Sequence, residues 1–213
     1  MAAKTDYAKD LTQIRSLMER SSRFISLSGL SGVSAGLCAL AGAGVMYYAL
    51  YLGQFSYFQG YPVRNEMALD PDFVQFCMVV GFVVLLGALI SAIYFTTRNA
   101  RRNGHKIFDK AAVRLMVNTA IPLVVGGVFC LALLYHNAGA LIAPATLVFY
   151  GLALINGSKY TLDDIRYLGF CELALGLLAS FFVGYGLLFW AFGFGVLHIV
   201  YGLVMYNKYE RKA

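Results

Sequence analysis

The sequence is poor in charge. Only 13% of its 213 residues are Asp, Glu, Lys or Arg, whereas 60% are hydrophobic. Soluble domains usually contain about 25% charged residues and about 45–50% apolar ones. A chain with so little charge cannot cover its apolar surface in water, which excludes an ordinary soluble domain and indicates a bilayer protein. The formal net charge is +6, but no basic surface with base-reading groups is evident, so we expect no nucleic-acid partner.

Cysteine pairs and metal motifs are also missing. The four cysteines all lie in apolar runs without C-x-x-C spacing: Cys38, Cys77, Cys130 and Cys171. We interpret them as small packing residues rather than as disulfides or metal ligands. The His, Cys, Asp and Glu residues show no metal-binding spacing, and there is no P-loop. The sequence therefore predicts no metal and no cofactor.

Long apolar runs are what the chain has instead. The last run, 165–206, contains 42 residues. As one helix it would be about 63 Å long, twice the hydrocarbon thickness, so it must form two helices. We place the turn between them at 186–192. With four earlier runs of suitable length, the sequence predicts an all-α bundle of six transmembrane helices; the earlier runs are 24–52, 73–97, 115–135 and 138–155.

Basic residues lie on one side of this topology. Of the 17 Lys and Arg residues, five precede the first span, six lie between the second and third, two between the fourth and fifth, and three after the sixth. Arg64 alone falls in an outer loop. The positive-inside rule then makes both termini cytoplasmic. We predict a multi-pass inner-membrane protein whose cytoplasmic face contacts anionic lipid headgroups.

The predicted spans divide the chain into three parts. In residues 1–23, Tyr7, Leu11, Ile14 and Met18 share one helical face, which indicates an amphipathic helix on the inner membrane surface. No cleavable signal peptide is evident, so we expect the first span to remain. Residues 24–206 form the transmembrane domain, and residues 207–213 form a cytoplasmic tail.

Local signals also mark two loops. Asn103-Gly104 is a strong turn dipeptide between the second and third spans. Thr161, followed by Asp163 and Asp164, predicts a capped start of the fifth helix.

The even-numbered spans suggest a duplication. Tyr150-Gly151-Leu152 is followed by Asn156, and Tyr201-Gly202-Leu203 is followed by Asn207 at the same spacing. Transporters are often built from internal repeats. We interpret this pattern as an indication of three tandem helical hairpins, although constraints at the membrane interface could generate much of it.

Small residues recur at intervals of four in several spans. Such residues let membrane helices approach closely. In the fifth and sixth spans the small residues share their helical face with Glu172 and His198, so these faces should point into the bundle. We predict that the following positions pack helices together: Ser28, Gly32, Gly36, Gly176, Ser180, Gly184 and Gly202.

Two ionisable residues lie within the last two spans. Glu172 and His198 lie about 9 and 15 Å of helix rise from the basic ends of their spans, so they have similar depth. Asn118 falls at a comparable depth in the third span, and Arg114 lies at its edge. We predict a polar site from these four residues, because ionisable groups within spans are rare and usually functional. A structural role for Glu172, bonded to a neighbouring helix, stays open.

The Glu172–His198 pair favours a small transporter or channel-like protein with a proton-coupled site. The alternative is a non-catalytic sensor or accessory subunit that binds a protein partner through residues 1–23 and the basic loop 98–114. The sequence also leaves open whether the chain forms a homo-oligomer. A wet cavity reaching Glu172 would favour the transporter, and a dry, filled bundle would favour the accessory subunit.

An intramembrane hydrolase is the remote alternative, and we favour a non-enzymatic function. Gly29-Leu30-Ser31-Gly32 resembles the G-x-S-G segment of rhomboid intramembrane proteases, in which case His198 would complete a Ser–His dyad. The resemblance covers about a dozen residues and departs from the family in order. In rhomboids the serine span comes late in the chain, whereas Ser31 lies in the first span.

Overall fold

The computed structural model of the protein describes residues 24, 27–53, 71–104 and 109–211. Within these ranges the chain forms six long helices and no strand, which confirms the predicted all-α class. The predicted amphipathic helix in residues 1–23 lies outside the described residues. The helices are α1 (Gly29–Tyr51), α2 (Pro71–Arg102), α3 (Lys110–Tyr135), α4 (Ile142–Gly157), α5 (Asp164–Phe181) and α6 (Gly186–Glu210).

Four of these helices, α1, α2, α3 and α6, are long and apolar enough to cross a membrane, and so is the segment Gly139–Tyr160, which consists of α4 and the 3-10 turns at its two ends. Helix α5 has 18 residues, which include Asp164, Arg166 and Glu172. Its length of about 27 Å is close to the thickness of a hydrocarbon core, about 30 Å. The chain therefore has several helices of the kind found in multi-pass membrane proteins, and α5 has nearly the length needed to span a bilayer but carries three charged residues.

The turn between α5 and α6 lies earlier than the sequence predicted. Helix α5 ends at Phe181, and α6 begins at Gly186, so the turn occupies 182–185 rather than 186–192. The Tyr185 N–H donates to the Phe182 carbonyl oxygen at 3.0 Å and closes the turn. Gly184 lies within this turn, whereas Trp190, inside the predicted range, lies within α6. The same helix continues to Glu210, into the segment predicted as a tail.

The two local loop predictions had different outcomes. The turn at Asn103-Gly104 is confirmed, and Gly104 has the left-handed φ of 66° that favours glycine. The Thr161 cap is wrong: the hydroxyl of Thr161 donates to the Phe24 carbonyl oxygen at 2.7 Å instead. Asp164, predicted to stabilise the helix start, accepts from Lys208 at 2.8 Å. Tertiary partners outcompete the local cap at this position.

The helices pack in two groups. Helix α1 packs against α2 and α6, while α4 packs against α3 and α5. Contacts of α6 with α4 and α5 join the two groups. Helices α1 and α2, and α3 and α4, thus pair as sequential hairpins. By contrast, α5 packs mainly on α4, and α6 packs mainly on α1, so the last two helices do not form an isolated hairpin.

Glycines let two pairs of helices cross with their backbones in contact. Where α6 crosses α1, a Cβ on Gly202 would lie 2.6 Å from the Gly29 oxygen and from the Val33 nitrogen. Where α4 crosses α5, a Cβ on Gly151 would lie 2.7 Å from the Gly169 oxygen. Side chains do not fit at such distances, so close packing of these helices requires glycine.

The predicted packing positions fall into two groups. Ser28 is buried. By contrast, Ser180 donates its hydroxyl to the Gly176 carbonyl of its own helix, and Gly184 has open space around it among the described residues. Gly184 is therefore corrected to a turn residue, because α5 ends three residues before it. Four predicted glycines closely face a neighbouring helix: Gly32, Gly36, Gly176 and Gly202.

Contacts between helix termini define one end of the bundle, called the basic end below. Phe24, before α1, packs against Ala111 at the start of α3 and accepts from Thr161 just before α5. Glu210, at the end of α6, accepts from the Ser28 hydroxyl at 3.1 Å. The starts of α1, α3 and α5 and the end of α6 therefore lie together, with the basic residues that flank them.

Candidate functional site

Glu172 lies in the middle of α5 and is fully buried, with 0% of its surface exposed. It is eight residues beyond the start of α5, which corresponds to about 12 Å from the basic end. Within the described part of the chain, neither oxygen of its carboxylate has a hydrogen-bond partner. Such a group costs free energy on folding, because burial removes its water without replacing the hydrogen bonds.

His198, in α6, lies beside this carboxylate. Its Nδ1 lies 3.3 Å from the Glu172 Oε1 atom and 3.0 Å from the Gly193 carbonyl oxygen. A carbonyl can only accept, so Nδ1 carries the hydrogen in that bond. We therefore interpret the shorter contact as the hydrogen bond and the contact with Glu172 as electrostatic. This agrees with the carboxylate having no hydrogen-bond partner although it lies within ion-pair distance.

Tyr150, in α4, completes a chain of three side chains from three helices. Its hydroxyl lies 2.8 Å from His198 Nε2, and its ring packs at 5.3 Å from the imidazole. With neutral imidazole the hydroxyl donates to Nε2, and with imidazolium Nε2 donates to the hydroxyl oxygen. His198 can therefore gain or lose a proton without losing either of its hydrogen bonds.

The backbone of α6 is widened beside this site. Residues Ala191–Leu197 form a π-helical segment, and such segments are frequent at functional sites. Gly193 lies within it and faces the carboxylate: a Cβ there would lie 2.5 Å from the Glu172 Oε2 atom and 2.6 Å from the Leu147 side chain. The missing side chain at Gly193 thus makes the space that Glu172 occupies.

Apolar side chains seal the site on the side away from the basic end. Phe194 packs against both Tyr150 and His198, with ring centroids 5.0 and 5.9 Å apart. Trp190, one turn farther from the basic end, packs on Phe194 at 5.1 Å. Leu147 is fully buried. Glu172 and His198 are therefore buried among apolar side chains, with the half-buried Tyr150 beside them, and electrostatic interactions are strong in such surroundings.

The structure brings together only two of the four residues predicted to share a site. Asn118 donates its amide to the Arg114 carbonyl oxygen of its own helix at 2.8 Å, and Arg114 is exposed. Their helix, α3, packs mainly on α4 and not on α5 or α6. Similar depth was therefore a poor guide to proximity here, because α4 stands between α3 and α5.

Ser31 and His198 do not form the dyad that a hydrolase would need. The Ser31 hydroxyl donates to the Ser28 carbonyl oxygen at 2.5 Å. Both ring nitrogens of His198 are directed at other groups, the Tyr150 hydroxyl and the Gly193 carbonyl. These hydrogen bonds leave the serine without a base and the histidine without a nucleophile.

Sequence reasoning missed Tyr150 and Gly193. Tyr150 had been noted only as part of the Tyr-Gly-Leu repeat, and nothing in a single sequence indicates that its hydroxyl faces His198. Gly193 has no side chain that could mark it as part of a polar site. The one usable signal was its spacing: Gly193 lies five residues before His198, which suits a bond from the imidazole to a carbonyl in a widened helix.

The arrangement places three groups that can each carry a proton next to one another. A carboxylate, an imidazole and a phenol form a continuous series with separations of 3.3 and 2.8 Å. Over the described ranges, no three His, Cys, Asp or Glu side chains come together as metal ligands would. No protein-family model, curated protein or solved structure matches this chain, so the site is characterised by its own geometry.

Proposed function

We propose that this multi-pass membrane protein moves a small solute in exchange or symport with protons, and that Glu172 and His198 carry the proton. The observation that supports this most directly is the Glu172 carboxylate, buried at the centre of the bundle without a hydrogen bond and 3.3 Å from His198. Tyr150 extends the pair towards α4. In this proposal the basic end faces the cytoplasm and contacts anionic headgroups, as its excess of Lys and Arg favours.

A purely structural acid would be expected to look different. Structural buried carboxylates are stabilised by several hydrogen bonds, because a partly satisfied buried charge is worse than an apolar residue of the same shape. Among the described residues, His198 lies within ion-pair distance of Glu172, and Gly193 leaves space for its carboxylate. A proton that binds and leaves would account for this arrangement, since it changes the charge of the carboxylate without requiring fixed donors around it.

Substitution of Glu172 by Gln tests the proposal. The amide keeps the shape of the side chain but cannot bind and release a proton, so we expect proton flux to fall at least tenfold. The measurement uses the purified chain in liposomes that contain a pH-sensitive dye, with an imposed membrane potential. Asp72→Asn, which removes an acid at the exposed start of α2, is the matched control and should retain the flux of the unsubstituted protein.

Two results would contradict the proposal in different ways. Flux that is present and equal in the Glu172→Gln variant would remove Glu172 from the mechanism. If the unsubstituted protein gave no more proton flux than empty liposomes with any of a panel of co-solutes, transport would not be its function.

The second candidate is a non-transporting accessory or sensor subunit. One observation favours it: Glu172 is sealed from solvent, and the apolar cavity described below does not include it among its lining residues. In that case the buried pair would set how α4, α5 and α6 fit together, and the protein would act through a partner at its basic end. Absence of proton flux combined with loss of the fold in the Glu172→Gln variant would support this candidate.

A further inference from the structure

A cavity of about 450 Å³ lies between the helices at the end of the bundle opposite the basic end. Helices α2 and α3 form its two sides, and α1, α4 and α6 form its back. Helices α2 and α3 scarcely touch each other, because α2 packs on α1 and α3 packs on α4. The cavity is therefore a cleft that opens sideways, between two helices whose other surfaces would face lipid.

The cleft is apolar throughout the part that the structure describes. No charged side chain is among its described lining residues. Thr146 supplies a hydroxyl, but that hydroxyl already donates to the Ala143 carbonyl oxygen at 2.7 Å. Water is a poor occupant of such a site, since a buried water needs two or more polar partners. An empty cleft would leave its lining atoms without packing contacts.

The dimensions of the cleft match one leaflet. On α2 its lining extends from Phe73 to Val84, a distance of about 16 Å along the helix. This is close to half of a hydrocarbon core about 30 Å thick. Met78 and Leu131, at its sides, are 57% and 60% exposed, so an apolar chain could enter from the bilayer without crossing polar surface.

From these observations we propose that the cleft between α2 and α3 is a binding site for one hydrocarbon chain of a membrane lipid, from the leaflet opposite the basic end. The apolar lining favours a hydrocarbon ligand, and the length of the cleft favours an extended chain over a compact solute. Because the cleft opens sideways, the ligand would enter from the bilayer. This inference does not depend on the proton-coupled function, because Glu172 does not line the cleft.

Trp190 lines the cleft and is the single tryptophan of the sequence, so its fluorescence reports on the occupant. The full-length protein is placed in nanodiscs with an increasing mole fraction of phosphatidylcholine brominated on its acyl chains, because bromine quenches indole at close range. We expect quenching that saturates at a low mole fraction of brominated lipid, as occupation of a single site requires.

Gly81 offers a way to fill the cleft without disturbing the fold. It lines the cleft, and a Cβ there would meet nothing within 4 Å in the described structure. We expect Gly81→Phe to remove at least half of the saturable quenching and Gly81→Leu to remove less. Gly127 on α3 has equally open surroundings but does not line the cleft, so Gly127→Phe should behave as the unsubstituted protein does.

Other outcomes would overturn the inference. Quenching that rises in proportion to brominated lipid and is equal in all variants would indicate only the general lipid annulus. No quenching in the unsubstituted protein would mean that something else fills the cleft, such as a second copy of the chain or its own residues 54–70. If both Gly81 variants lost helicity but the part that still folds showed the quenching of the unsubstituted protein, this would also count against the site.

Discussion

The two crossings packed through glycine, α1 with α6 and α4 with α5, differ from the two outer helices, α2 and α3, in which residues make the helix contacts. Helices α1, α4, α5 and α6 approach one another through glycines that touch backbone, whereas in α2 only Ala100 is buried. Yet α2 and α3 are the most apolar of the candidate spans. In a bilayer the lipid is itself apolar, so the helices with the most hydrophobic residues occupy the outside and those with small and polar residues occupy the centre.

The largest effect that would distinguish the two regions is expected at a glycine crossing. Gly202→Leu places a side chain where a Cβ already lies 2.6 Å from the backbone of α1, and α1 and α6 must separate. We expect a loss of about 3 kcal/mol or more in the free energy of unfolding, or failure to fold. Gly127→Leu, in the open surroundings of α3, should change it by less than about 0.5 kcal/mol. Equal losses would contradict the contrast between centre and periphery.

A smaller effect is expected where α6 holds the start of α1. The Glu210 carboxylate accepts from the Ser28 hydroxyl and from the Gly29 N–H, and its charge is favourable at a helix N-terminus. Glu210→Gln should therefore cost about 1–2 kcal/mol of unfolding free energy, measured by denaturant titration in detergent. Arg211→Gln, at the next residue, is the control and should have little effect. A Glu210 variant as stable as this control would show that the contact contributes nothing.

The smallest effect concerns the hydroxyl of Tyr150. Tyr150→Phe removes the bond to His198 Nε2 and leaves the ring packing in place, so we expect a loss of about 1 kcal/mol in unfolding free energy. Tyr94→Phe, on the exposed surface of α2, makes the same chemical change in the outer region and should lose less than half as much. If both variants were equally stable, the hydrogen bond between the Tyr150 hydroxyl and His198 would contribute nothing to stability.

Composition and periodicity predicted the helices well but their neighbours poorly. Hydropathy predicts five apolar helices and a more charged helix, α5. The Glu172–His198 pair is predicted because the two residues have similar depths in the membrane on adjacent spans. The same argument from depth wrongly brought Asn118 to the site, because depth gives the level of a residue in the membrane and not its direction around the bundle. Tyr150 is not predicted because a single sequence does not show that α4 packs beside His198. Gly193 is not predicted because the π-helical segment of α6 changes which residues share a face.

Gly184 and Gly193 show why glycine alone is ambiguous. The sequence predicts a packing role for Gly184 and has Gly193 just beyond the predicted turn at 186–192. The structure places Gly184 in open space and Gly193 against a carboxylate. The residue type is the same, and only the partner helix, which a single sequence does not identify, distinguishes a turn from a packing contact or a site.

The contact between Ser28 and Glu210 joins positions that are 182 residues apart in the chain. During synthesis α1 leaves the ribosome before α6, so the glycine face of α1 has to wait for its partner while the residues between them are made. Until then, lipid or the insertion machinery must cover that face. Closure of the bundle is thus a late event in biogenesis, and quality-control proteases would have their best opportunity in the interval before it.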